Sequence, residues 1–278
     1  MTELLPLIAL LLAVGALAGF TAGLFGIGGG AVMVPALFFA FASLGVDPEI
    51  LMHCAVATSA SVIIVNGYRS TRGHLARDSV DLAILCPPQI WRSYGLWIGI
   101  GSFIGAWWLA PKLGSDMLTL IFACVAFIVA AQFIFGRPDF QFRDTVPGGI
   151  APPLVGGSVG VLSAIMGIGG GSISVPLLTL CGMPVHRAVG TAAGFGLAIA
   201  IPATIGFVIS GWAVPGRPPF SVGYVNMAGF ALIVMSAWFM VPLGTAMAHR
   251  LKAVPLRRIF GICLALVALN MARKVGLF

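Results

Sequence analysis

Gly26-Ile27-Gly28-Gly29-Gly30 returns 141 residues later as Gly167-Ile168-Gly169-Gly170-Gly171. From 15 to 37 against 156 to 178, ten of 23 positions are identical: Gly15, Gly19, Gly26, Ile27, Gly28, Gly29, Gly30, Val34, Pro35 and Leu37. Further on, His53-Cys54-Ala55-Val56-Ala57-Thr58 answers to His186-Arg187-Ala188-Val189-Gly190-Thr191 at an offset of 133, because the second copy has a shorter connecting loop. The chain is a tandem duplication, with one repeat over 1–146 and the other over 147–278, forming one integral unit.

Both copies lie in apolar surroundings. Of 278 residues, 59% are hydrophobic and 8% charged, and the mean hydropathy is +1.07. A soluble domain carries roughly a quarter charged residues, so that class is excluded. The long apolar runs do not alternate with period two, which sets a β-barrel aside. An all-α polytopic membrane protein follows, with five apolar segments per repeat. They run over 4–25, 31–44, 50–68, 80–110 and 116–135 in the first repeat, and over 147–166, 172–182, 186–210, 221–248 and 256–275 in the second. Each second segment is too short to cross about 30 Å and follows a glycine run that cannot stay helical. The expectation is a half-helix that starts inside the membrane.

Charge decides the relative orientation of the repeats. If the first two segments of each repeat make no net crossing, one side of the membrane collects Arg69, Arg72, Arg77, Arg137, Arg143, Arg187, Arg250, Lys252, Arg257 and Arg258. The other side holds Lys112, Arg217, Arg273 and Lys274. A parallel arrangement splits the same charges almost evenly. The excess of Lys and Arg on cytoplasmic loops therefore favours an inverted repeat with both termini outside, a common transporter design.

Where a glycine run ends one helix and opens another, free backbone N–H groups and the positive end of a helix dipole face one point, which favours an anion. Gly28, Gly29 and Gly30 form one such start, and Gly169, Gly170, Gly171 and Ser172 the other. Ser172 and Ser174 add hydroxyls where the first repeat has Ala31 and Met33. Thr58, Ser59 and Ser61, with Thr191 on the counterpart segment, are neutral polar groups placed to complete a central site. The alternative use of these glycines is close helix packing, the natural reading of the Gly15, Gly19, Gly23 series and the Gly156, Gly160 pair.

Other chemistries find little footing. Gly26, Gly28 and Ala31 match G-x-G-x-x-A with Asp47 downstream, but a dinucleotide site needs a preceding strand in a soluble βαβ unit. The five cysteines, Cys54, Cys86, Cys124, Cys181 and Cys263, show no C-x-x-C spacing and read as small buried hydrophobes. The acidic residues Glu3, Asp47, Glu49, Asp78, Asp81, Asp116, Asp139 and Asp144 lie in or beside loops, which leaves no carboxylate for a proton relay at mid-depth. His53 and His186 are then the titratable candidates for coupling or gating, with an interfacial capping role as the alternative. Arg92 follows the Pro87-Pro88 break and is either a substrate counter-charge or a snorkelling interfacial residue. With no H-x-x-x-H among the histidines and no nucleophile paired with a base inside the spans, neither an enzyme, a metal site nor a cofactor is expected. Basic residues clustered between apolar runs indicate topology, not nucleic-acid binding. The expected partners are a small anion and the lipid bilayer, and a homodimer stays open.

The paired GIGGG-x4-P runs (Gly26 to Pro35, Gly167 to Pro176), with Ala55-Val56-Ala57-Thr58-Ser59 and Ala188-Val189-Gly190-Thr191-Ala192 downstream, resemble the TauE/SafE sulfite exporter family. Tyr68-Arg69-Ser70-Thr71-Arg72-Gly73 looks like that family's charged loop, and the resemblance covers nearly the whole chain. It implies a bacterial inner-membrane transporter that moves sulfite, sulfonates or related organic anions, usually outward. Ala192 stands where the first repeat has Ser59, so the two repeats need not contact substrate equally. A small-anion channel, or an importer of another organic anion, remains the alternative.

Overall fold

The computed structural model of the chain describes residues 4–136, 142–248 and 253–274, and the side chains of these apart from 4 and 253–257. Glu3, Arg137, Asp139, His249, Arg250 and Lys252 lie outside the described residues, as does the side chain of Arg257.

The apolar runs fold as helices. The first repeat contributes α1 (Leu4–Phe25), α2 (Gly30–Ser43), α3 (Pro48–Leu75), a short α4 (Leu82–Leu85), α5 (Tyr94–Ile104) and α6 (Ser115–Phe135). The second contributes α7 (Gly157–Met166), α8 (Gly171–Leu180), α9 (Val185–Ser210), α10 (Met227–Ala248) and α11 (Ala253–Lys274). Five helices among the described residues are long and apolar enough to cross a membrane: Leu5–Phe25, Pro48–Leu75, Ser115–Phe135, Val185–Ser210 and Met227–Ala248. Their outer surfaces expose Leu5, Phe127, Ile128 and Phe239, and α11 adds Leu266, an apolar coat that only lipid can cover. This is a multi-pass α-helical membrane protein.

Local chemistry sets the helix starts. Asp47 Oδ1 accepts from Glu49 N at 2.9 Å ahead of Pro48 at the head of α3, Ser93 Oγ accepts from Leu96 N at 3.1 Å, and Asn226 Oδ1 accepts from Gly229 N at 2.8 Å. Each cap satisfies an N–H that the first helical turn leaves open.

Two sequence expectations need correction, and the Pro87-Pro88 break stands as the sequence has it. The third segment does not stop at residue 68 but continues to Leu75, so Tyr68 to Gly73 is helix and not a loop; nothing before Asp78, at φ 50, breaks the ladder. The fourth segment of the first repeat is interrupted at Pro87-Pro88, where Arg92 lies in a separate 3-10 turn over Ile90–Arg92. That of the second repeat opens with a hairpin, β1 (Ser221–Val222) against β2 (Val225–Asn226), turned at Gly223 with φ 58.

The repeats pack reciprocally. A Cβ added to Gly15 or Gly23 of α1 would overlap Ile233 O or Val241 O of α10, and one on Gly19 would lie 2.7 Å from Ala237 O. In the same way a Cβ on Gly160 of α7 would overlap Ile98 O of α5, and one on Gly101 would overlap Gly157 O. The first helix of each repeat thus lies on the fourth element of the other. The third helices, α3 and α9, meet each other, with Gly67 beside Leu197 and Gly196 beside Ile63. Exchange of equivalent contacts in this manner is the mark of a two-fold relation.

The loops gather at two ends. At one, Tyr224 stacks on His53, Gly216 approaches Asp47, and Met52 N donates to Ser115 Oγ at 3.1 Å. At the other, Arg187 pairs with Asp81 at 3.1 Å, Gly182 approaches Asp144 O, and Tyr94 OH donates to Pro147 O at 2.7 Å.

Candidate functional site

The two glycine runs cross in the middle of the molecule. A Cβ on Gly30 would overlap Gly167 O, and one on Gly171 would overlap Gly26 O, the same contact with the repeats exchanged. Between them Gly28 and Gly169, counterparts of each other, touch; a Cβ on Gly28 would lie 3.2 Å from Gly169 Cα. The crossing sits at mid-depth. Gly28 lies against Ile63 and Gly170 against Gly196, and those two positions fall near the midpoints of α3 and α9. The sequence expectation of two half-helices starting inside the protein is what the structure shows.

The runs reach that point by different backbones. Gly26, Gly28 and Gly29 take φ of 67, 75 and 84, where a side chain is strained, whereas in the second run Gly167 alone does, at 61. In α2 the first donors are Val32 N and Met33 N, both to Gly29 O, and in α8 Ser174 N donates to Gly170 O at 2.8 Å. The amides of Gly28, Gly29, Gly30 and Ala31, and those of Gly169, Gly170 and Gly171, donate to no protein oxygen among the described residues. All seven residues are buried. Seven buried amides without a protein acceptor thus gather at one crossing, most of them the open donors of the first turns of α2 and α8. Ser172 and Ser174 add to the set, each 1% exposed with no hydrogen-bond partner for its hydroxyl. The dipoles of α2 and α8 both place their positive ends here.

The remaining expected residues divide by role. Ser59 Oγ donates to Gly167 O at 2.8 Å, so it holds the second run. Thr58 Oγ1 accepts from Asn226 N at 2.9 Å and Thr191 Oγ1 accepts from Asp81 N at 2.9 Å. Each of these threonines fastens the segment that leads into the other repeat's fourth element, and both lone-pair contacts are to backbone. Ser61 Oγ turns back to Thr58 O at 2.7 Å.

His53 and His186 hold equivalent sequence positions but not equivalent surroundings. His53 is 4% exposed, meets Ala110 O through Nε2 at 3.0 Å, stacks on Tyr224 with centroids 5.2 Å apart, and leaves Nδ1 without a partner. It floors a cleft at one end of the protein, with Glu49 and Asp116 on the rim. Tyr224, in the hairpin turn, has its hydroxyl pKa pushed up by burial and stays neutral. His186 is exposed at the opposite end, near the head of α9. Arg92 is exposed at that same end and is not brought to the crossing.

Sequence reasoning passed over Asn66. It is fully buried, and its Nδ2 donates to Gly28 O at 3.3 Å. Ser70 Oγ donates to Ala22 O at 3.3 Å and His74 Nε2 meets Gly23 O at 3.3 Å. Residues 66, 70 and 74 recur every four positions, so one face of α3 grips the end of α1 and the first glycine run. The signal was an amide side chain inside an apolar helix, which is costly in a membrane unless it has a partner or a role there. Arg69, in the same stretch, lies over the Trp238 ring at 3.9 Å.

Residues 11–271 match the family described as Sulfite exporter TauE/SafE. The chain belongs to that family. A probable membrane transporter protein of Haemophilus influenzae is 32% identical over 269 residues, covering 96% of this chain and 98% of the relative. The probable membrane transporter protein YunE of Bacillus subtilis is 25% identical, covering 97% and 98%, and one from Methanocaldococcus jannaschii is 26% identical, covering 97% of each. No solved structure matches the chain. The family is one of membrane transporters, and the crossing of the two glycine runs is the part of the fold built from the motif that this chain repeats.

Proposed function

We propose that the protein exports small sulfur oxyanions, such as sulfite or organosulfonates, across the bacterial inner membrane by alternating access around the glycine crossing. The observation that carries this reading is the set of unpaired amides at two opposed helix starts, which together offer the donors an oxyanion accepts. Ser172 Oγ lies within the same start and donates to the same ligand.

Three features support the reading. The glycine runs touch backbone to backbone, so passage requires them to part, as in a carrier. The loop ends separate Lys112 and Arg217 from Arg77, Arg143 and Arg187, as an inverted repeat with both termini outside requires. Described acidic residues stay at the ends, with Glu49 and Asp116 in the first turns of α3 and α6. An inside-negative potential drives an anion outward by about 2.3 kcal/mol per charge per 100 mV, so export needs no buried carboxylate.

The test is efflux from proteoliposomes loaded with radiolabelled sulfite, with and without an imposed potential and a pH gradient. Saturable efflux that responds to potential supports the proposal. Movement only with a pH gradient keeps the substrate but assigns coupling to His53, since His186 is exposed. Linear flux without saturation replaces the carrier with a channel, and no flux of any sulfur oxyanion overturns the substrate.

A further inference from the structure

Two threonines at equivalent positions, Thr58 on α3 and Thr191 on α9, are fully buried, and each accepts a hydrogen bond from the other repeat. The donors are Asn226 N and Asp81 N, both at 2.9 Å. These donors correspond as well. Asn226 stands directly before α10 and its Oδ1 accepts from Gly229 N at 2.8 Å, while Asp81 stands directly before α4 and its Oδ1 accepts from Ala83 N at 3.1 Å. In each case the side chain caps the start of its own repeat's fourth element, and the backbone N–H goes to a threonine of the other repeat. The threonine bond can therefore break without uncapping the helix.

The position of these bonds relative to the glycine crossing gives them a role. Thr58 comes five residues before Ile63, which lies against Gly28, and Thr191 comes five residues before Gly196, which lies against Gly170. Each bond is therefore about 7.5 Å from the crossing along its helix. Since α3 starts at the end that carries His53 and α9 at the end that carries Arg187, the two bonds lie on opposite sides of the crossing. Beyond Asn226, Tyr224 stacks on His53. Beyond Asp81, Ser79 O lies where a Cβ on Gly190 would overlap it, and Arg187 pairs with Asp81 in the open. The buried amides of the crossing are thus covered from both ends, each time by the entry of one repeat's fourth element fastened to the other repeat's third helix.

We infer that the two threonine bonds are the gates of the carrier, Thr58 to Asn226 on the side of His53 and Thr191 to Asp81 on the side of Arg187, and that transport opens one while the other stays closed. The inference rests on the alternating access proposed above. Thr58 and Thr191 are positioning residues: neither touches the anion, and each sets how often its side of the crossing is open. A side-chain hydrogen bond between membrane helices is weak enough to break and re-form in a transport cycle. On average it is worth about threefold in an equilibrium and at most about twentyfold.

The experiment reads the two sides separately. Ser172→Cys, in a chain whose five native cysteines are replaced by alanine, puts one thiol at the crossing, and an impermeant methanethiosulfonate is applied to one face of the membrane at a time. Thr58→Val, which keeps the shape and removes the hydroxyl, is expected to raise the labelling rate about threefold to twentyfold from the face nearest His53 and to leave it unchanged from the other. Thr191→Val does the reverse. Gly190→Ala, whose Cβ would overlap Ser79 O, parts the same gate by another route and repeats the Thr191→Val pattern. Thr58→Ser and Thr191→Ser, which keep the hydroxyl, label as the parent does. Labelling that rises equally from both faces, or that does not rise in any of these variants, overturns this inference, and saturable sulfite efflux beside it leaves the proposed function standing. Face-selective labelling without efflux of any sulfur oxyanion supports the gates and overturns the substrate.

Discussion

The first helices of the two repeats, α1 and α7, run into the same glycine motif and are finished in opposite ways. α7 closes on itself: Gly167 N donates to Ala164 O at 3.1 Å and Ile168 N to Ser163 O at 3.2 Å, the paired bonds that end many helices at a left-handed glycine. α1 has one such bond, Gly26 N to Ala22 O, and the carbonyls of Ala22, Gly23 and Gly28 are met by the side chains of Ser70, His74 and Asn66. The counterparts of Asn66, Ser70 and His74 on α9 are Ile199, Ala203 and Phe207, none of which has a polar group to offer. The end of α1 is therefore tied to α3 by three side chains, of which Asn66 alone reaches the glycine run itself, while the second run is held by Ser59. The two motifs are identical, and the third helices differ in the polar side chains they offer beside them.

Five substitutions break or sharpen that contrast. The largest effect belongs to Gly30→Val and Gly171→Val, whose side chains would overlap Gly167 O and Gly26 O across the crossing. Each is expected to lower sulfite efflux more than tenfold at equal protein in the vesicles; efflux within twofold of the parent would mean that the crossing does not carry substrate. Asn66→Leu comes next. It keeps the volume but leaves Gly28 O unpaired in the interior, at a cost of about 1–2 kcal/mol, to be read from the unfolding midpoint in bicelles. An unchanged midpoint would show that the first run needs no fastening.

Ser59→Ala should cost less, about 0.5–1 kcal/mol by the same assay, because α7 already satisfies its own end and membrane hydrogen bonds average about 0.6 kcal/mol. If movement of the second run limits transport, this variant speeds efflux while it lowers stability. A slower efflux would place the moving part elsewhere. The smallest effect is expected for Arg187→Ala. The Arg187–Asp81 pair is exposed, and such pairs contribute about 0–1 kcal/mol, so neither midpoint nor efflux should change measurably.

Much of this was legible from residues alone. The GIGGG runs announced two broken helices, because a glycine run cannot stay helical and the apolar segment after each run is too short to span a bilayer. Lys112 and Arg92 emerge at opposite ends of one segment, as the length of helix between them implies. Pairing was hidden. Thr58 and Thr191 resemble substrate ligands in a one-dimensional reading, yet each is engaged by a backbone amide more than a hundred residues away. The equivalence of His53 and His186 was true of position and false of burial, since His53 is covered by Tyr224 from a hairpin that looked like the start of a helix. Asn66 was visible but its partner, a carbonyl 38 residues upstream, was not.

At the centre of the proposed mechanism, an anion is held by backbone amides of both glycine runs at once. Labelling isoleucine carbonyls with ¹³C and glycine amides with ¹⁵N isolates the Ile27–Gly28 and Ile168–Gly169 peptides, with Ile98–Gly99, Ile100–Gly101, Ile104–Gly105 and Ile205–Gly206 as helical controls. In solid-state NMR of the protein in bilayers, titration with sulfite should shift the amides of Gly28 and Gly169 with one common midpoint and leave the four controls in place. Saturable efflux from the same preparation with neither of those two amides moving would contradict it.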